Sequence, residues 1–114
     1  MSRNDMREKA RAIIARRGLG AMANNTKWSE FFTEIKAFDI SLEFKLIDED
    51  EPMLCKRFWC PVPNYIEGGL MGPYPFYWIE WVRSGETATL AALADKVGME
   101  CIAGEGRATV YGYR

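Results

Sequence analysis

Seven consecutive residues, Phe76-Tyr77-Trp78-Ile79-Glu80-Trp81-Val82, are aromatic or β-branched apart from one glutamate. Such a run favours extended backbone, and bulky apolar side chains on both of its alternating faces have to be covered on both sides. The segment therefore predicts a central strand, and the rest of the chain must supply neighbours and a covering layer.

The neighbours are readable. Ile40, Leu42, Phe44 and Leu46 alternate with Ser41, Glu43 and Lys45, the period-two pattern of a strand with one buried face. Asp48-Glu49-Asp50-Glu51-Pro52 ends that strand, because adjacent like charges repel in a ladder and Pro52 has no N–H. Met53 to Cys60 reads as the returning strand. Glu100 to Ala103 and Arg107 to Tyr113 predict a closing hairpin about Gly104-Glu105-Gly106. Arg107 to Tyr113, as the last strand, is expected at a sheet edge, where a second copy of the chain can pair to form a homodimer.

The covering layer is helical. After the capping residues Asn24-Asn25-Thr26, the side chains of Trp28, Phe31, Phe32, Ile35 and Phe38 recur at spacings of three and four, which places them on one broad face. Thr87 to Val97 predicts another helix, with Leu90, Leu93, Ala94 and Val97 inward and Gly98 as its stop. An earlier helix, from Asn4 or Asp5 to Arg17, has only a thin apolar stripe of Ala10, Ala12, Ile13 and Ile14, and is expected to be a loosely docked or partner-facing arm. Pro61 to Pro75, with turns at Pro61, Pro63, Gly68-Gly69, Gly72-Pro73 and Pro75, reads as a long exposed loop. The fold class is thus α+β: a mostly antiparallel sheet of about five strands with two or three helices on one face, in the order α-α-β-β-β-α-β-β. Residues 1–22 form a basic helical arm and residues 23–114 a single domain. With 114 residues and 48% apolar content, such a domain has a sufficient core without disulfides or a structural metal.

Several kinds of chemistry are excluded. The chain contains no histidine, which removes Ser-His-Asp and Cys-His catalysis and the commonest transition-metal ligand. Its three cysteines, Cys55, Cys60 and Cys101, are an odd number without an export signal, so free thiols in a cytoplasmic protein are expected. A zinc site would need a carboxylate as fourth ligand, and on an alternating strand Cys55 and Cys60 point to opposite faces. Gly68-Gly69-Leu70-Met71-Gly72 lacks the lysine and the following helix of a phosphate loop. No cofactor, no metal and no membrane span is expected.

What is left is charge and exposed aromatics. The net charge is −1, but Met1 to Phe38 carries eight Lys/Arg against four Asp/Glu, and Asp39 to Cys60 three against six. The acidic turn Asp48, Glu49, Asp50 and Glu51 reads first as a solvated turn and second as a knob that pairs with the basic groove of a nuclease or toxin. Trp59, Phe76, Tyr77, Trp78 and Trp81 are assigned to the core. Tyr65 and Tyr74, lying in the glycine-proline loop, are expected with Met71 to form an exposed anchoring patch. Arg7, Arg11, Arg16 and Arg17 on the first helix are the nucleic-acid candidates. Glu80, if its face is buried, requires a hydrogen bond or a cation, with Arg57, Arg83 or Arg107 as partner; a structural ion pair is the expectation, and a general acid or base the alternative.

Asn24-Asn25-Thr26-Lys27-Trp28, together with Trp78-Ile79-Glu80-Trp81 and Val110-Tyr111-Gly112-Tyr113, resembles an uncharacterised family of small bacterial proteins with an N-N-T-K-W motif. The resemblance covers about residues 24–114 and implies the extent of the domain, with no activity attached. The function expected is that of a non-enzymatic, protein-binding inhibitor of immunity-protein or antitoxin type. It would neutralise a partner protein through the acidic turn and the aromatic loop. The alternatives are a nucleic-acid-binding accessory protein that uses the basic first helix, and a phage-type inhibitor of a host defence complex.

Overall fold

The computed structural model describes residues 3–69 and 71–114, with the side chains of all of these except Arg3, Asn4 and Met71. Along the chain run α1 (Arg3–Arg17), α2 (Asn25–Ile35), β1 (Leu42–Leu46), β2 (Met53–Cys55), β3 (Tyr65–Gly68), β4 (Met71–Pro75), a 3-10 turn (Phe76–Trp78), β5 (Ile79–Ser84), α3 (Thr87–Val97), β6 (Cys101–Gly104) and β7 (Arg107–Tyr111). The main sheet has five antiparallel strands in the order β2-β1-β5-β7-β6, and β3 and β4 form a separate two-stranded hairpin. This is the α+β class expected, with the aromatic segment feeding the central strand.

One sheet face forms the core. Phe44 pairs with Val82 and Val82 with Val110, so all three point the same way, into a cluster with Leu90, Leu93 and Val97 of α3 and the buried face of α2. The Phe32 ring joins the layers, at 6.1 Å from Phe44, 5.3 Å from Phe76 and 5.4 Å from Trp28. The Asn24-to-Trp28 segment explains itself in packing terms. Asn24 caps α2 by accepting from the Lys27 N–H at 2.9 Å, and Trp28 enters the core. Lys27 Nζ donates at 2.8 Å to the Val97 carbonyl, where α3 ends at left-handed Gly98. One pentapeptide thus starts one helix and closes another.

Five expectations need correction. Phe76 to Trp78 is not strand: the chain winds through a 3-10 turn and becomes strand only at Ile79, because the turn buries Phe76 in the α2 cluster, and β propensity yields to such packing. The Pro61-to-Pro75 loop contains the β3–β4 hairpin, whose Ile66 is fully buried. Pro73 and Pro75 are tolerated because a two-stranded hairpin consists only of edges. The returning strand stops at Cys55, and Trp59 instead exchanges two 2.9 Å backbone hydrogen bonds with Glu67. Helix α1 is not a loose arm, since Ala10 and Ile13 are buried in the common core. Finally, β7 is no edge: it lies between β5 and β6, so the pairing surface expected for a second copy is occupied within the sheet.

A bulge shapes the centre. Lys45 pairs with Trp81 and Leu46 with Ile79, so Glu80 is an extra residue of β5 with no partner on β1. Bulges re-aim side chains, and here the re-aimed side chain is the one charged residue of the aromatic segment.

Candidate functional site

Glu80 is 9% exposed and is met by two cations. Arg17 Nη1 donates to Oε1 at 2.6 Å and Nη2 to Oε2 at 3.2 Å, a bidentate grip, while Lys45 Nζ donates to Oε1 at 3.0 Å. Arg17 Nη1 also reaches the Ile47 carbonyl at 3.0 Å, and Lys45 Nζ the Leu46 carbonyl at 2.8 Å. Burial alone would push the Glu80 carboxyl up. The hydrogen bonds and charges of Arg17 and Lys45 outweigh it and hold the group below the ordinary glutamate range. Arg17 is raised in turn, first by its hydrogen bond to Glu80. A carboxylate held ionised in this way is poorly suited to general acid or base work near neutral pH.

The partner expected for Glu80 was different. Arg83 grips Glu43 through two hydrogen bonds of 3.1 and 3.0 Å, with its guanidinium 4.6 Å above the Trp81 ring. Arg107 also approaches Glu43, at 3.7 Å, and Arg57 is exposed. The cations that reach Glu80 come from α1 and from the neighbouring strand.

Beside this cluster lies a cleft of about 580 Å³ between α1 and the turn after β1. Lys9, Arg16 and Arg17 line one side, Asp48, Glu49 and Asp50 the other, and Lys45, Ile13 and Ile47 contribute to its lining. The acidic turn therefore faces the basic helix of its own chain, and Asp50 helps to raise Arg17.

Asp48, Glu49, Asp50 and Glu51 are all exposed, and three exposed apolar side chains follow them along the chain, Leu54 beside Glu43 and Arg83, Val62 beside α2, and Trp59 between these two in sequence. Leu54 is 63% exposed, Val62 52% and Trp59 48%, the three most exposed large hydrophobic side chains among the described residues. Tyr65 and Tyr74 do not form the patch expected of them. Both are half-buried in the β3–β4 hairpin, Tyr74 with its ring 6.4 Å from Trp78, and the side chain of Met71 lies outside the described residues. Sequence reading missed Leu54 and Val62 and put Trp59 in the core. Trp59 stays at the surface because its backbone is tied to β3 while the chain has already left the main sheet.

The α1 arginines serve separate ends. Arg7 stacks on Tyr77 at 4.6 Å, Arg11 is exposed, Arg16 lines the cleft and Arg17 holds Glu80. They do not form one stripe. The three cysteines are free thiols, each pushed up by burial, and among the described residues no three acidic or thiol side chains converge to hold a metal ion. No described helix is long and apolar enough to cross a membrane.

No curated protein and no solved structure matches the chain. A family model does match, over residues 10–97, which takes in the second half of α1 with its Arg17 as well as Lys45 and Glu80. The chain thus belongs to DUF6678, a family of unknown function.

Proposed function

We propose that this chain is a non-enzymatic binding protein, of the immunity or antitoxin type, that neutralises a protein partner through Asp48–Glu51 and the exposed side chains of Leu54, Trp59 and Val62 that follow them in the chain. The observation that carries this reading is the concentration of the three most exposed large apolar side chains within residues 54–62, directly after four exposed carboxylates. Exposed apolar residues beside a charged rim are the usual composition of a protein interface, and tryptophan is enriched among residues that dominate binding energy. The carboxylates would steer a basic partner, and the exposed apolar side chains would supply desolvated contacts. No catalytic group is required, which agrees with the ionised, fully engaged state of Glu80. Free thiols suit a cytoplasmic setting.

The test is calorimetry against the product of the adjacent gene. Binding that weakens with salt and falls at least tenfold in both Asp48→Lys/Asp50→Lys and Trp59→Ala supports the reading. Absence of a complex, or a complex indifferent to both changes, refutes it.

A further inference from the structure

A second, smaller pocket, of about 200 Å³, opens between α1, the start of α2 and the end of the chain. The half-buried Tyr77 and Tyr113 supply aromatic surface, the almost fully buried Trp28 and Phe76 also line the pocket, and Arg7, Asn24 and Asn25 supply polar groups. We propose that this pocket binds a small planar aromatic anion, a single ring bearing one carboxylate or similar group. The proposal is independent of the protein-binding reading and uses none of its residues.

The polar groups point to an anion because Arg7 and Asn24 offer donors to a ligand and the Asn25 amide can turn its NH₂ the same way. Arg7 lies 4.6 Å above the Tyr77 ring, and its guanidinium has no ion pair among the described residues. Asn24 uses its side-chain oxygen to accept from the Lys27 N–H, which leaves its NH₂. Among the described residues no carboxylate lines the pocket. The Tyr113 hydroxyl is already committed, donating to the Tyr77 carbonyl at 3.0 Å, so it holds the aromatic wall in place. A guanidinium above a ring face can still offer its N–H groups to a carboxylate in a bidentate pair, the geometry in which arginine binds most strongly. The aromatic walls select a flat ring by offset or edge-to-face contact, and the volume admits one ring rather than a drug-sized molecule.

The experiment is a titration of the full chain, followed by NMR at the Trp28 indole and the Tyr113 ring, with benzoate, cyclohexanecarboxylate and benzamide. Benzoate separates the proposal from its parts, since cyclohexanecarboxylate keeps the charge without the flat ring and benzamide keeps the ring without the charge. The expected result is saturable benzoate binding at least tenfold tighter than either analogue. In Arg7→Met, which keeps the alkyl stem over Tyr77, benzoate should fall to the level of benzamide while the unliganded spectrum stays folded. Failure of benzoate to saturate by about 10 mM, equal binding of all three compounds, or unchanged benzoate binding in Arg7→Met would each overturn the proposal.

Discussion

Arg17, in the last turn of α1, grips Glu80 of β5 across 63 positions of sequence, Nη1 to Oε1 at 2.6 Å and Nη2 to Oε2 at 3.2 Å. With Lys45 on the same carboxylate, the contact pins the basic helix to the centre of the sheet. Breaking a buried pair on one side leaves the other charge uncompensated, and costs about 3–5 kcal/mol. Glu80→Gln, which leaves the buried Lys45 ammonium without its carboxylate, should therefore be strongly destabilising in urea unfolding; Lys45→Met, which leaves Glu80 paired with Arg17, should cost less, and the double variant less than their sum. Arg17→Met should cost less than either, because the Arg17 side chain remains about a third exposed.

The same cluster sets an acid limit. Glu80 and Glu43 both lie below the ordinary glutamate value of 4.5 in the folded chain, Glu80 through the Arg17 and Lys45 bonds that overcome its burial and Glu43 chiefly through Arg83. A depressed folded value means that the ionised form is favoured by folding, so the stabilisation is complete above 4.5 and is lost as pH falls through the folded values. Unfolding followed from pH 7 downward should show a steep loss beginning near 4.5, and Glu80→Gln should show a shallower one.

Gly112 has no room for a side chain. A Cβ there would lie 2.5 Å from the Ile79 carbonyl oxygen and 3.0 Å from Trp28 Cζ2. Gly112→Ala must displace either the backbone of β5 or a core tryptophan, and overpacking of this kind costs about 1–3 kcal/mol. Thermal unfolding should report the loss. Gly104→Ala is the control, since nothing lies within 4 Å of its Cβ.

Burial raises all three thiols above 9.0, with Lys36 partly opposing it at Cys60 and a backbone hydrogen bond from Thr109 at Cys101. Thiolate is therefore scarce at neutral pH. Alkylation of the native chain should be at least tenfold slower than in denaturant at Cys55, which is buried and lies 3.5 Å from the Gly68 carbonyl oxygen. The half-buried Cys60 and Cys101 should react at intermediate rates.

What could be read from the sequence was local. Helix α3 occupies Thr87–Val97 as its apolar spacing and Gly98 require, and β1 keeps the alternation of Leu42, Phe44 and Leu46. The β3–β4 hairpin was hidden because glycine and proline, which mark loops, are also tolerated in strands that are all edge. The bulge at Glu80 leaves no local signature, so strand alternation alone did not identify Arg17 and Lys45 as its partners. Leu54, Trp59 and Val62 were missed for a similar reason. Exposure of an apolar side chain depends on where the chain goes next, and after Cys55 it leaves the sheet.

The most direct test of the binding reading is the affinity of the wild type and of Leu54→Ser/Trp59→Ala/Val62→Ser for the product of the adjacent gene, at low and at physiological salt. The account predicts a complex that the triple variant weakens at least a hundredfold at either salt, and that Asp48→Lys/Asp50→Lys weakens most at low salt. A complex of unchanged affinity in both variants would contradict it.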